Sequence, residues 1–330
     1  MDNLDPGQTR SAMIEPRTTD PAASLEVVVL IPCYNEAVAI GDVVRGFRAA
    51  LPAARIFVYD NNSKDDTVRV GQEAGAIVRR EPWQGKGNVV RRMFADIDAD
   101  IYVMADGDNT YDAPSAITMI DKLRRENLDM VVGSRRASYE NATYRRGHRT
   151  GNFLITWFVG FLFGNRFGDM LSGYRVFSRR FAKTFPALSA GFDIETELTV
   201  HTLSINIPAA EIETPYAARP EGSVSKLNTW RDGFRILRAI ANLFRDERPL
   251  AFFTLLAGVL AAASIVLVIP VVITFFETGL VPRLPTAILA TTLMLLAFLS
   301  LVSGLILDTV SQGRREMKRL HYLQYRPPGQ

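Results

Sequence analysis

From Val27 onward, runs of β-branched and aromatic residues alternate with stretches in which apolar side chains recur every three or four positions. Residues 27–31 are a continuous apolar run closed by Pro32, as in a parallel strand buried on both faces. Helical spacing follows over 36–51, carried by Val38, Ile40, Val43, Val44 and Phe47, and stops before Pro52. The same reading predicts strands at 55–59, 76–79, 101–105 and 130–133, and helices at 65–74, 87–98 and 113–126. Such alternation predicts an α/β fold: a doubly wound, mostly parallel sheet with right-handed crossovers.

The texture changes after Gly151. Residues 153–163 are apolar and aromatic but too short to span a bilayer, which leaves a core helix or one lying at a membrane interface. Residues 229–244 space Phe234, Ile236, Leu237, Ile240 and Leu243 among arginines, the pattern of a basic amphipathic helix on a membrane surface or of a solvated helix packed on the soluble domain. Two runs, 250–276 and 284–307, contain no charged residue, and each exceeds the roughly 20 residues needed to cross a bilayer. They predict a transmembrane hairpin. The expected organisation is a polar disordered tail (1–24), a catalytic domain (25–228), a juxtamembrane helix (229–249), the two spans, and a basic tail (308–330).

Charge sets the orientation. Arg231, Arg235, Arg238, Arg245 and Arg248 precede the first span, and Arg314, Arg315, Lys318, Arg319 and Arg326 follow the second. The link between them offers only Arg283. The rule that basic flanks stay inside then predicts a multi-pass protein of the cell inner (plasma) membrane, with the catalytic domain and both termini cytoplasmic. Residues 1–24 lack the apolar core of a signal peptide. A net charge of only +3 makes no case for nucleic acid. The single cysteine, Cys33, rules out an internal disulfide and fits a reducing compartment.

Four polar signals interrupt the apolar pattern: Pro32-Cys33-Tyr34-Asn35-Glu36, Tyr59-Asp60-Asn61-Asn62-Ser63, Gly85-Lys86-Gly87-Asn88 and Asp106-Gly107-Asp108. Each sits at a predicted strand end or helix start, where an open α/β sheet places its ligand crevice. Asp106 and Asp108 would repel each other without a cation between them, and Mg²⁺ takes such hard oxygens together with substrate phosphates. The other reading of that pair is helix capping ahead of Ala113-Pro114. Asp108 is expected to be an exposed ligand. Asp60 can accept hydrogen bonds from a base or ribose, or serve only the turn. Gly85-Lys86-Gly87 opens a helix whose N–H groups, with the lysine, can meet a diphosphate or the base. Tyr34 can stack on a base or simply pack. Taken together the four signals read as a site for a sugar nucleotide and its metal.

As an ordered set these strings resemble the family 2 glycosyltransferases with the GT-A fold, over about residues 27–248. Later segments, Val132-Gly133-Ser134-Arg135, Ser172-Gly173-Tyr174-Arg175 and the stretch from Pro215 to Leu227, look like dolichyl-phosphate mannose synthase and bacterial polyprenyl-phosphate glycosyltransferases. The resemblance implies that Pro32, Tyr34, Glu36, Asp60, Lys86 and Asp106 hold the nucleotide sugar. It implies Mg²⁺ or Mn²⁺ on Asp106 and Asp108. Arg135 and Arg219 would face the donor diphosphate and the acceptor phosphate, with Ser223 and Lys226 on the acceptor, and Asp193 and Glu195 would orient the sugar or act as base. Two departures bear on the donor: Asn61-Asn62 stand where many relatives have Asp-Gly, and Thr110 where the mannose synthases tend to have Gln.

The resulting expectation is an inverting transfer of one sugar from a nucleotide sugar to a membrane polyprenyl phosphate. UDP-N-acetylglucosamine or UDP-glucose is favoured over GDP-mannose, and self-association is left open. A phosphate monoester is largely dianionic at neutral pH and needs positioning more than a base. The competing readings are a transferase acting on a polysaccharide, a nucleotidyltransferase and a catalytically silent membrane scaffold. The Gln-x-x-Arg-Trp string of processive synthases is absent, and Pro32–Glu36 is not a phosphate loop.

Overall fold

The computed structural model describes residues 25–135, 167–188, 194–218 and 241–328, with 160 and 220 besides. The predicted tail (1–24), most of the 153–163 segment and residues 229–240 of the amphipathic helix lie outside the described residues.

The first half follows the predicted alternation. Strand β1 (Val27–Cys33) leads to helix α1 (Ile40–Ala50), β2 (Arg55–Asp60) to α2 (Thr67–Glu73), and β3 (Ile77–Arg80) to α3 (Lys86–Asp96). Strand β4 (Ile101–Met104) leads to α4 (Ser115–Arg125) and then β5 (Met130–Ser134). Two further strands had no clear pattern in the sequence: β6 (Arg175–Ser178), followed by α5 (Arg179–Thr184) and α6 (Ile194–Ser204), and β7 (Ala209–Glu213).

Among the described residues the strands form one sheet in the order β3-β2-β1-β4-β6-β5-β7. Central β1 pairs in parallel with β2 and β4, and β5 with β7. The exception is β6, which runs antiparallel between β4 and β5.

Alternate residues of each strand face opposite layers. Val28 and Leu30 join Phe57, Tyr59, Tyr102 and Met104 under α3, α5 and α6, while Val29 and Ile31 join Ile56, Val58 and Val103 under α1 and α4. Burial on both faces explains why these strands are apolar runs rather than alternating ones. Their carboxyl ends, where Cys33 pairs with Asp60, open toward the four polar signals.

Helices α7 (Pro249–Thr278) and α8 (Leu284–Leu323) are both long and apolar enough to cross a membrane. They pack antiparallel. The Ser264 hydroxyl donates to the Ala290 carbonyl at 2.7 Å, and a Cβ added to Gly304 would stand 2.8 Å from the Phe253 Cβ. The buried positions of α8 within the hairpin, Ala290, Ala297, Gly304 and Ser311, are small and seven residues apart. Without a hydrophobic force between helices in lipid, such close backbone approach is what holds a pair together. Leu, Val and Phe side chains cover the outward faces.

Past residue 307, where a basic tail was expected, α8 continues to Leu323. The segment is rich in Arg, Glu, Met, Lys and Leu, all strong helix formers. Its end docks on the sheet domain. Tyr322, 3 % exposed, enters the core beneath α5 and donates to Asp129 Oδ2 at 2.6 Å, with the Arg180 guanidinium 4.2 Å from its ring centre. Arg319 donates to the Ile205 carbonyl at 2.8 Å, and Arg315 to that of Glu247.

Candidate active site

The loops after β1 and β2 are fastened to each other by backbone N–H groups and short polar side chains. Asn35, in the left-handed region at φ 52°, donates its N–H to Ser63 Oγ (2.8 Å) and accepts from the Lys64 N–H at Oδ1 (2.7 Å). The N–H groups of Glu36 and Ala37 donate to Thr67 Oγ1 and Asp65 Oδ2 at 2.9 and 3.1 Å. Burial would raise the Asp65 pKa, but hydrogen bonds from Thr67 and Ala37 hold it below the usual carboxylate range. Pro32 is buried, Tyr34 and Glu36 are half-buried at the mouth, and Asp60 is 2 % exposed beneath them, accepting from the Ser63 N–H at 3.2 Å.

Asn61 has a role that sequence reading missed. Its amide donates to the carbonyls of Glu81 (2.9 Å) and Trp83 (2.8 Å), and its Oδ1 accepts from the Gly85 N–H at 2.7 Å. It therefore clamps the loop that delivers Gly85, at φ 130°, and Lys86 at the start of α3. Asn62 sits at φ 67° and donates to the Pro82 carbonyl at 2.8 Å. Asparagine tolerates that backbone region better than most residues, so the Asn-Asn pair supplies both the turn and the clamp.

Lys86 reaches two carboxylates. Its ammonium contacts Asp106 Oδ1 and lies 2.5 Å from Glu195 Oε1, at the start of α6. Burial alone would lower its pKa, but the Asp106 and Glu195 charges hold it above the ordinary lysine value. Asp106 is 30 % exposed at its side chain, whereas Asp108 is 4 % exposed, with the Thr110 hydroxyl donating to its Oδ1 at 2.7 Å. The expectation of an exposed Asp108 is thus corrected: the turn folds inward after Gly107, where a Cβ would stand 2.5 Å from Cys33 Sγ.

The Ser172-Gly173-Tyr174-Arg175 string ties the far wall together. Ser172 Oγ donates to the Gly133 carbonyl at 2.5 Å, and Tyr174 Oη to the Asp112 carbonyl at 2.9 Å. Gly173 lies so close to Asp106 that a Cβ would fall 2.5 Å from its Oδ2. Arg175 is fully buried and donates to the carbonyls of Ser172 (2.9 Å), Met170 (2.6 Å) and Glu195 (3.1 Å) and to Thr199 Oγ1 (2.9 Å). Burial lowers its pKa to about 10, with Glu195 and Asp169 opposing. Its work is to bolt the turn before β6 to the first turn of α6, and so to place Glu195.

Gly173→Ala is expected to push the Asp106 carboxylate aside, with a loss of roughly 100-fold in kcat/KM, the scale of an ångström-sized misplacement. The melting temperature should stay close to that of the parent. Transfer assays beside thermal unfolding check this, and unchanged activity would refute it.

Arg135 is held by Asp169 in a bidentate pair at 2.7 and 2.8 Å, and its guanidinium lies 5.6 Å from the Tyr216 ring centre. Asp169 is fully buried, which would raise its pKa, but Arg135 holds it below the usual range. Tyr111 and Tyr216 bridge backbones, and the Ala217 N–H donates to the Thr110 carbonyl at 2.8 Å. The chain is thereby pinned beside the Asp106–Asp108 turn as far as Ala217. The structure brings Pro32, Tyr34, Glu36 and Asp60 to one crevice rim and Lys86, Asp106 and Glu195 into contact. Asp193, Arg219, Ser223 and Lys226 lie outside the described residues.

Among the described residues no group of three or more His, Cys, Asp or Glu side chains forms a ready-made metal cage. Asp106 and Asp108 offer hard oxygens of the kind Mg²⁺ or Mn²⁺ accepts, and a bound diphosphate would supply further ones. The residues present fit such a cation.

A mostly parallel sheet with carboxylates and a lysine at its carboxyl ends is an arrangement that known proteins share. The model of Glycosyl transferase family 2 matches residues 28–185. The Haloferax volcanii glycosyltransferase AglJ is 33 % identical over 300 residues, covering 90 % of this chain and 98 % of that protein. A dolichyl-phosphate hexose transferase of the same organism is 26 % identical over 224 residues, covering 68 % and 96 %. Glucosyl-3-phosphoglycerate synthase from Mycobacterium tuberculosis, solved with Mn²⁺, UDP and glucosyl-3-phosphoglycerate, matches with TM-score 0.54 and 22 % identity, covering 68 % of this chain and 80 % of that one. The chain belongs to glycosyltransferase family 2.

Proposed function

We propose that the protein transfers one sugar, with inversion, from a nucleotide sugar to a polyprenyl phosphate in the membrane, giving a lipid-linked monosaccharide. The observation that carries this reading is α8, one helix that is an apolar span at Leu284 and a core element of the catalytic domain at Tyr322. A site tied that directly to a bilayer is suited to an acceptor that lives there. The dolichyl-phosphate hexose transferase among the relatives supports the same class of acceptor.

Pro32, Tyr34, Glu36 and Asp60 hold the nucleoside in this reading, and Lys86 meets the diphosphate. Asp106 and Asp108 would hold Mg²⁺ or Mn²⁺, which when bound offsets charge on the departing nucleoside diphosphate. Glu195, with Asp193, orients the sugar. Arg135 is committed to Asp169, so its part is to fix the wall beside Tyr216, leaving Arg219, Ser223 and Lys226 to receive the acceptor phosphate. A lipid phosphate oxygen attacks the anomeric carbon as the bond to the diphosphate breaks, so the new linkage has the opposite configuration. The nucleophile is already dianionic and needs no strong base. UDP-N-acetylglucosamine or UDP-glucose is the favoured donor. The basic flanks, Arg245 and Arg248 before α7 and Arg314 to Arg319 on α8, support a cytosolic side for the catalytic domain and both termini.

The test supplies purified protein with Mg²⁺ or Mn²⁺, polyprenyl phosphate and a panel of radiolabelled UDP- and GDP-sugars. Label entering the organic phase from one donor, and lost with EDTA, establishes the reaction. Label appearing only in a water-soluble polymer, or in nothing despite nucleotide binding, overturns it in favour of a polysaccharide acceptor or a silent scaffold. Within this reading Arg219→Ala should depress transfer by roughly 100-fold, as loss of a charged phosphate contact worth about 3 kcal/mol does. UDP affinity, followed by calorimetry, should change less than threefold, about 0.6 kcal/mol.

A further inference from the structure

We propose that Glu195 is a positioning residue for the cation site, serving as the alternative seat of the Lys86 ammonium, which competes with a divalent cation for Asp106. The inference rests on Asp106 and Asp108 being the cation ligands.

Lys86 Nζ touches Asp106 Oδ1 and Glu195 Oε1 at once, with its side chain 9 % exposed and that of Glu195 6 %. An ammonium and a divalent cation cannot share one carboxylate oxygen in a poorly solvated site without strong repulsion. A cation that takes Oδ1 as well as Oδ2 therefore requires one of the three partners to yield. Asp106 is backed by Gly173, where even a Cβ would stand 2.5 Å from its Oδ2, so it cannot withdraw in that direction. Glu195 is fixed from behind by the Arg175 bond to its carbonyl. Lys86, a point charge on a flexible four-carbon stem, is the movable member.

Glu195 also has a place for it. Its second oxygen, Oε2, is buried with no hydrogen-bond partner among the described residues, an arrangement that costs free energy. A small shift of Nζ off Asp106 would let the ammonium bridge both Glu195 oxygens, satisfying Oε2 and freeing Asp106 Oδ1 together. Lys86 stays charged and paired in either position. Glu195 thus sets cation affinity without touching the cation.

The experiment measures binding of Mn²⁺ alone to the detergent-solubilised full chain, by electron paramagnetic resonance of the free ion, for the parent, Glu195→Gln, Lys86→Met, their double variant and Asp108→Asn. Far-UV circular dichroism accompanies each, and Lys86→Gln replaces Lys86→Met if the latter fails to fold. Expected are a weakening of about tenfold for Glu195→Gln and a tightening for Lys86→Met, with Glu195→Gln adding less than about twofold once Lys86 is gone. Equal weakening by Glu195→Gln in both backgrounds would mean that Glu195 acts only by its charge, and would overturn the proposal. Weaker Mn²⁺ binding in both Lys86 variants would overturn it as well. Mn²⁺ binding that is absent, or unchanged by Asp108→Asn, would instead remove the ligand assignment beneath it.

Discussion

Asp108→Ala is expected to abolish sugar transfer, by about 10³-fold or more, the scale of losing a cation that contributes several kcal/mol to the transition state. The side chain is nearly buried and accepts the Thr110 hydroxyl, so its removal also costs about 1 kcal/mol of stability. Asp108→Asn separates the two effects. The amide keeps an oxygen for Thr110 and fills the same space but is a much poorer cation ligand. Both variants should therefore be inactive in the labelled-lipid assay, while only the alanine variant melts measurably lower. Near-parental activity of Asp108→Asn at saturating Mg²⁺ would show that the pair after β4 is a turn device and nothing more.

The second large effect falls far from the chemistry. Asp129 is fully buried and accepts from Ser178 Oγ (2.6 Å), Arg180 Nε and Nη2 (3.0 and 2.6 Å) and Tyr322 Oη (2.6 Å). Asp129→Ala leaves the Arg180 cation and two hydroxyls without their acceptor, and removing one partner of a buried pair costs about 3–5 kcal/mol. The same carboxylate joins β5, α5 and α8, so its loss should release the last turns of α8 as well as lower the melting temperature. Limited trypsin digestion reads this as faster cleavage at Arg314 to Arg319. Tyr322→Phe keeps the ring in the core and should lose only about 1 kcal/mol. Equal and small effects from both substitutions would show that α8 is not anchored through Asp129.

Much of this architecture was legible because doubly wound sheets write themselves as apolar runs. β1, β2, β4 and β5 carry Val, Ile, Tyr or Met on both faces, and each was placed within about a residue or two, the usual scatter of element boundaries. β6 was not legible: four residues long, it begins with a fully buried arginine that local periodicity assigns to solvent. β7, Ala-Ala-Glu-Ile-Glu, is an edge strand with half-exposed side chains and gives no two-sided signal.

The site divides the same way. Its four motifs were visible because strand ends are local. The clamp by Asn61, the cradle at Gly173 and the buttress of Arg175 act through contacts 20 or more residues apart in the chain, except for Arg175's own turn. The only trace of the last two in the sequence is the Ser172–Arg175 string, which the resemblance marks without implying a role. Lys86 was expected near the nucleotide. Its contact with Glu195 joins α3 to α6 across the chain, which spacing alone does not reveal.

A helix anchored at both ends is a ruler. With a rise of about 1.5 Å per residue, the 40 residues of α8 measure about 60 Å, of which a bilayer core takes about 30 Å. In the proposed membrane-anchored arrangement, the height of the crevice above the lipid is counted out in residues between Ala290 and Tyr322. One inserted residue would turn Tyr322 by about 100° away from Asp129, whereas seven would restore the face but lift the domain by about 10 Å. Loops can be trimmed at will, but the stretch from hairpin to core admits only whole repeats, each of which would set a different clearance in the proposed arrangement.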